Sequence, residues 1–263
     1  MKVRIAIAGL AATLFGLGAA AAADLTPAPY VKAPPPPPMY NWTDWYVGLN
    51  VGGSWGHQDG SLTGFGTNSL HLDGVIGGGQ LGYNWQGAGS PWVFGIEADI
   101  QGSDQHNNNG AFAAAASACP IINVAPINCT PASAIGYSDK LDWFGTLRGR
   151  VGWATGYEGR WLPYVTGGLA YGQTNVNGGG IIGTPGPAPG VSTAVAFSAT
   201  TTQVGWTVGA GLEWAFGGEW SAKIEYLYMD LGNGPTIALL PGVNFTTGHM
   251  TDNIGRVGIN WHF

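Results

Sequence analysis

Charge is what this chain has least of. Only 9% of its 263 residues are Asp, Glu, Lys or Arg, where a water-soluble globule carries about a quarter. So thin a supply implies that water is not the only solvent around the folded chain. Lys and Arg number 9 against 15 Asp and Glu, for a formal charge of −6. That balance lacks the basic footprint that nucleic-acid binding requires, so no nucleic-acid partner is expected. Cysteine is also scarce, with only Cys119 and Cys129. Neither follows a cleavage site near the N-terminus, which argues against a lipid-modified start. No HExxH is present, and no nucleophile beside a base can be read from the order of residues. The chain is therefore expected not to be an enzyme. Beyond residue 39, no apolar run is long enough, or free enough of glycine, to cross a bilayer as a helix. If the protein lies in a membrane, it must do so as a closed barrel.

What is present begins with a leader pattern. Lys2 and Arg4 form a basic end, Ile5 to Ala22 is an apolar, alanine-rich run, and Ala21-Ala22-Ala23 precedes Asp24. These features read as a signal peptide over 1–23, cleaved after Ala23. A single membrane-spanning helix is the other reading of the run. Loss of Lys2 and Arg4 would take the formal charge from −6 to −8. Residues 24–40 contain the run Pro34 to Pro38, which cannot join a helix or a sheet ladder and is expected to form a stiff periplasmic tether. Residues 41–263 then form the remaining domain.

From Asp44 onward the dominant period is two. Val47, Leu49 and Val51 share one parity and Gly48, Asn50 and Gly52 the other. Phe94, Ile96 and Ile100 oppose Gly95, Glu97, Asp99 and Gln101. Val257, Ile259 and Trp261 oppose Arg256, Gly258 and Asn260. Counting such segments gives about eight strands, each roughly the ten residues that a tilted membrane strand needs. The connections alternate between short turns near 87–90, 155–159 and 217–219 and long segments over 57–73, 103–140, 174–200 and 232–251. The expected fold is all-β: an eight-stranded antiparallel up-and-down transmembrane barrel with long extracellular loops and short periplasmic turns, both termini periplasmic.

Sidedness follows from solvation. A cation on the lipid face near mid-membrane costs about 2–4 kcal/mol, so the charged parity must look inward. The inward set is Glu97, Asp99, Arg148, Arg150, Glu213, Lys223, Glu225 and Arg256. Acids and bases balance, and an eight-stranded barrel is just wide enough for side chains to fill. Paired charges are thus expected to plug the lumen. Trp45, Trp85, Trp92, Trp153, Trp161, Trp214, Trp220 and Trp261 fall at strand ends beside the termini or the short turns, as an interfacial girdle requires.

The run DWYVGLNVGGSWG, then GGGQLGYNWQ, FGIEADIQG, LRGRVGWA, YVTGGLAYG and GWTVGAGLEWAF, ending on Phe263, resembles the opacity-like outer-membrane immunogenic proteins of alphaproteobacteria. These are small, porin-like barrels. The resemblance covers roughly 40–263 and implies an eight-stranded barrel in the cell outer membrane. It also makes terminal Phe263 similar to the aromatic signal that the barrel-assembly machinery reads. Expected partners are outer-membrane lipids and lipopolysaccharide, with that machinery and periplasmic chaperones during biogenesis.

Two groups of loop residues complete the reading. Cys119 and Cys129, in an oxidising compartment, are expected to close a disulfide worth roughly 2–3 kcal/mol. His57, His71, His106 and His249 could hold a metal or haem if they met in space, as a surface receptor would need, but scattered loop histidines are commoner. No cofactor and no metal are assigned. The expected role is a non-catalytic surface protein contributing to envelope integrity. The alternative is a narrow, porin-like channel for small solutes.

Overall fold

The computed structural model describes residues 39–117, 128–187 and 190–263. Eleven strands run through them: β1 (Asp44–Leu62), β2 (Gly66–Gln86), β3 (Trp92–Ala114), β4 (Asn128–Cys129), β5 (Ser133–Trp153), β6 (Trp161–Thr184), β7 (Gly186–Pro187), β8 (Val191–Gly217), β9 (Trp220–Asn233), β10 (Thr236–Leu240) and β11 (Val243–His262). Eight of these are long. They pair antiparallel in the order β1-β2-β3-β5-β6-β8-β9-β11, and β11 closes back onto β1. Closure leaves no edge whose amides would meet hydrocarbon unpaired. Among the short strands, β10 adds to β11, and β4 pairs with β7.

The two parities face opposite solvents. Leu49 is 70% exposed on the outer wall and Ile96 59%, while Asn50 and Glu97, one residue on from each, are buried. Every one of the eight long strands contributes one tryptophan to a belt at the end that carries the short turns. Trp92 faces Trp153, Trp161 faces Trp214, and Trp220 faces Trp261 as direct cross-strand partners. The Trp161 and Trp214 rings stack at 5.5 Å. Terminal Phe263 lies in the same belt, stacked 5.2 Å from Trp261, with its amide donating to the Trp45 carbonyl at 3.0 Å.

A second, thinner aromatic belt was not expected. Trp55, Trp143 and Trp206 mark it, with Trp143 against Tyr171 at 6.1 Å and Trp206 against Tyr228 at 5.5 Å. Trp45 and Trp55 lie on one strand, ten residues apart. That span is about 33 Å of strand, or roughly 25 Å of height at the usual tilt, the thickness of an outer-membrane apolar band.

The strands do not stop there, which corrects the expectation of long loops. They run 14 to 27 residues, well past the upper belt. The segment 57–73, read as a loop, is strand on both sides of a turn at 63–65, where Gly64 takes φ 84°. Most of 103–114, 133–140, 174–184, 191–200 and 243–251 is likewise strand.

The physical reason is an inversion of the two faces. Past Trp55 the outward positions become His57, Asp59, Ser69, His71 and Asp73, while the inward positions become Leu62, Leu70, Leu72, Phe112, Ile135 and Val176. Once the outer wall meets water, the barrel must supply its own apolar core.

Candidate functional site

The lumen is filled in three layers. At the turn end, Trp42 lies just before β1 and is fully buried, packed with Val93, Ala154, Leu162 and Ala215. Its indole Nε1 donates to the Gly159 carbonyl at 2.9 Å, and its backbone amide donates to Gln86 Oε1 at 2.9 Å. The chain preceding β1 thus closes this mouth of the barrel.

Above Trp42 lies the charged layer. The structure places Glu97, Asp99, Arg148, Arg150, Glu213, Lys223, Glu225 and Arg256 inside, all buried. Glu97 is the hub. Lys223 Nζ reaches both of its oxygens at 2.9 Å, Tyr46 Oη donates to Oε2 at 2.6 Å, and Arg148 Nη2 bonds Oε1. Arg148 also contacts Asp99 and Glu225, each at 3.0 Å. Arg256 Nη2 lies 2.6 Å from Glu225 Oε2 and 3.0 Å from Asp99 Oδ2.

A second pair sits lower, where Arg150 Nη2 meets Glu213 Oε2 at 2.9 Å. Its guanidinium is held between the rings of Tyr46 and Tyr164, 4.9 and 5.0 Å from their centroids. Four carboxylates meet four cations, so the layer is neutral as well as dense.

Sequence reasoning missed several members of this layer. Tyr46, Tyr164, Asn84 and Thr146 share the inward parity but carry no charge to flag them. Glycine makes room for the tyrosine rings: a Cβ on Gly211 would lie 2.5 Å from Tyr164 Cζ, and one on Gly82 would run into the Tyr46 ring. Ser221 and His262 also meet, with Oγ 2.9 Å from Nε2. Ser221 Oγ also donates to Glu213 Oε1 at 2.5 Å, and both residues are buried, with the His262 ring 6.0 Å from that of Trp42.

The third layer is the apolar core at the loop end, where Leu72, Leu141, Phe144, Leu227, Met229, Phe245, Met250 and Ile254 pack together. The charged side chains thus gather in the belt-to-belt section, and the interior above them is largely apolar. Asp139 is an exception within the apolar layer, outside the membrane-spanning section. Burial, offset only in part by the Lys140 backbone amide, pushes its carboxyl up to about 7.

The loop histidines share one sector of the outer wall, on the adjoining strands β11, β1, β2 and β3. Only His57 and His71 are in ring contact, at 4.4 Å. His249 Nε2 instead lies 2.9 Å from Asp230 Oδ1. Cys129 is buried in β4 opposite Gly186, and Cys119 lies outside the described residues, as do the leader and most of the tether.

The comparisons with known proteins bear on the same architecture. A family model described as an outer membrane protein beta-barrel domain matches residues 9–263. The 31 kDa outer-membrane immunogenic protein of Brucella melitensis is 32% identical over 262 residues, covering 96% of this chain and 96% of its own length. The 22 kDa outer membrane protein of Rhizobium leguminosarum is 28% identical over 234 residues, covering 86% and 85%. Among solved structures, the outer membrane protein OprG from Pseudomonas aeruginosa aligns with a TM-score of 0.43 at 13% identity, over 85% of this chain and 98% of that one. With the family model spanning nearly the whole chain and a relative of this identity and coverage, the chain belongs to the outer-membrane β-barrel family that includes these outer-membrane immunogenic proteins.

Proposed function

We propose that this barrel is a non-conducting, non-catalytic surface protein that contributes to the integrity of the outer membrane. The observation that carries this reading is the filled lumen: Trp42, then a neutral network of eight charged side chains, then an apolar core. A solute path would have to break all three layers, and opening the middle one would leave charges unpaired in a low-dielectric interior. The narrow-channel reading lacks any comparable support.

In this reading the turn end and both termini face the periplasm, after removal of residues 1–23, and 24–40 link the barrel to that side. The strand extensions stand above the surface, surrounded by lipopolysaccharide, and Cys119 and Cys129 staple the loop between β3 and β5. Phe263 serves the assembly machinery. Its exposed position in the aromatic belt is compatible with that use.

Deleting the gene tests the role. Detergent sensitivity and leakage of periplasmic enzymes should rise and return to normal on complementation. An envelope indistinguishable from the parent's, under detergent and chelator challenge, would reject it.

A further inference from the structure

Outside the lumen, two histidines meet on the outer wall. His57 on β1 and His71 on β2 are direct register partners on the outer wall, both exposed to solvent. Their ring centroids lie 4.4 Å apart with the planes inclined at 59°. The pair lies one outward position beyond Trp55, where the apolar band has given way to polar surface. The other outward histidines are already engaged: His249 by Asp230 at 2.9 Å, and His106 by the Asp104 carbonyl at 3.0 Å.

The ring spacing is compatible with a chelate. A divalent ion sits about 2.0–2.1 Å from an imidazole nitrogen, which puts it about 3.2 Å from the ring centre. Two such arms whose ring centres are 4.4 Å apart subtend roughly 90° at the metal. That is the angle between neighbouring positions of a square-planar or tetragonal centre, which Cu2+ and Ni2+ favour with nitrogen and oxygen ligands. A tetrahedral ion such as Zn2+ would need centres about 5.2 Å apart.

Strand pairing fixes the two backbones opposite each other, so only side-chain ordering is needed on binding. Asp73 is two residues along β2 from His71, on the same outward face, opposite both Trp55 and His106. Among the described residues no third His, Cys, Asp or Glu joins the pair, so water would complete the remaining positions.

We propose that His57 and His71 form a bidentate surface site for a tetragonal divalent transition metal, Cu2+ above all. The site is independent of whether the lumen conducts, because both rings lie on the outside of the wall.

The test is titration of the folded full-length protein in detergent with Cu2+, followed by calorimetry and electron paramagnetic resonance. One ion per chain should bind, with hyperfine splitting from two nitrogens. His57→Gln and His71→Gln should each weaken binding at least tenfold, whereas His106→Gln and His249→Gln should leave it unchanged. Heat-modifiable gel migration shows that each variant is folded, and all four positions are exposed, so little loss of structure is expected. Undiminished binding in His57→Gln or His71→Gln, or a one-nitrogen signal, would overturn the proposal. A loss produced by His106→Gln or His249→Gln would do the same.

Discussion

Lys223 on β9 holds both carboxylate oxygens of Glu97 at 2.9 Å, although Glu97 stands on β3, the strand diametrically opposite in the eight-membered ring. The ion pair is therefore a strut across the full width of the lumen. Around it, Arg148 and Arg256 tie the same carboxylate group to Asp99 and Glu225.

Breaking that strut on one side only should be costly. Lys223→Met leaves Glu97 with less compensation and should destabilise the folded barrel by about 3–5 kcal/mol. The double variant Glu97→Gln with Lys223→Met should recover part of that loss, because neither charge is then stranded. Urea unfolding in lipid vesicles, followed by tryptophan fluorescence, gives both values. Additive single effects would mean that the pair is not coupled.

The inversion of faces along one strand makes a sharper demand. Ile96 and His106 both point outward from β3, but the first lies in the apolar band and the second above it. Ile96→Arg should cost about 2–4 kcal/mol, and His106→Arg less than about 0.5 kcal/mol. Equal penalties would put the two positions in one solvent.

Asp139 gives a pH signature. Its carboxyl is raised from 3.8 to about 7 in the folded chain, so the native state holds the proton more tightly than the unfolded chain does. The stabilisation contributed by this one group is therefore fully present below about pH 4 and is lost as pH rises through 7, by at most about 4 kcal/mol. The loop-end core should resist protease better at pH 5 than at pH 8, and Asp139→Asn should reduce the difference, the remainder belonging to Asp252, whose carboxyl burial likewise pushes up to about 7.

Close packing of the Tyr164 ring yields a steric prediction. Gly211→Ala would bring a methyl 2.5 Å from Tyr164 Cζ and 2.8 Å from the Ile224 carbonyl. Neither neighbour is free to retreat, since Tyr164 Oη is bonded to Glu225 and Ile224 lies in β9. A loss of about 1–3 kcal/mol is expected in the same unfolding assay.

How far the sequence could be read depended on which signal was present. Alternation with glycine opposite Leu49, Ile96 or Ile259 exposed the barrel, and one tryptophan per strand marked its turn end. The parity of Lys223 and Glu225 set their side of the wall, but their partners depend on how the closed sheet is staggered, which no local pattern encodes. The strand extensions were hidden because the alternation changes sign at Trp55, so a search for outward-facing aliphatics ends there. Trp42 was missed for a simpler reason: it precedes β1 and belongs to no alternating segment. The approach of Ser221 to His262 arises only when β9 and β11 pair.

Conductance of the purified protein in a planar bilayer is the most direct measurement of the sealed lumen. The account predicts no reproducible steps in the wild type, and steps appearing only when layers are removed together, as in a Trp42→Ala, Arg148→Ala, Glu225→Ala variant that still folds. Regular wild-type openings whose size changes in Arg148→Ala or Glu225→Ala would contradict it.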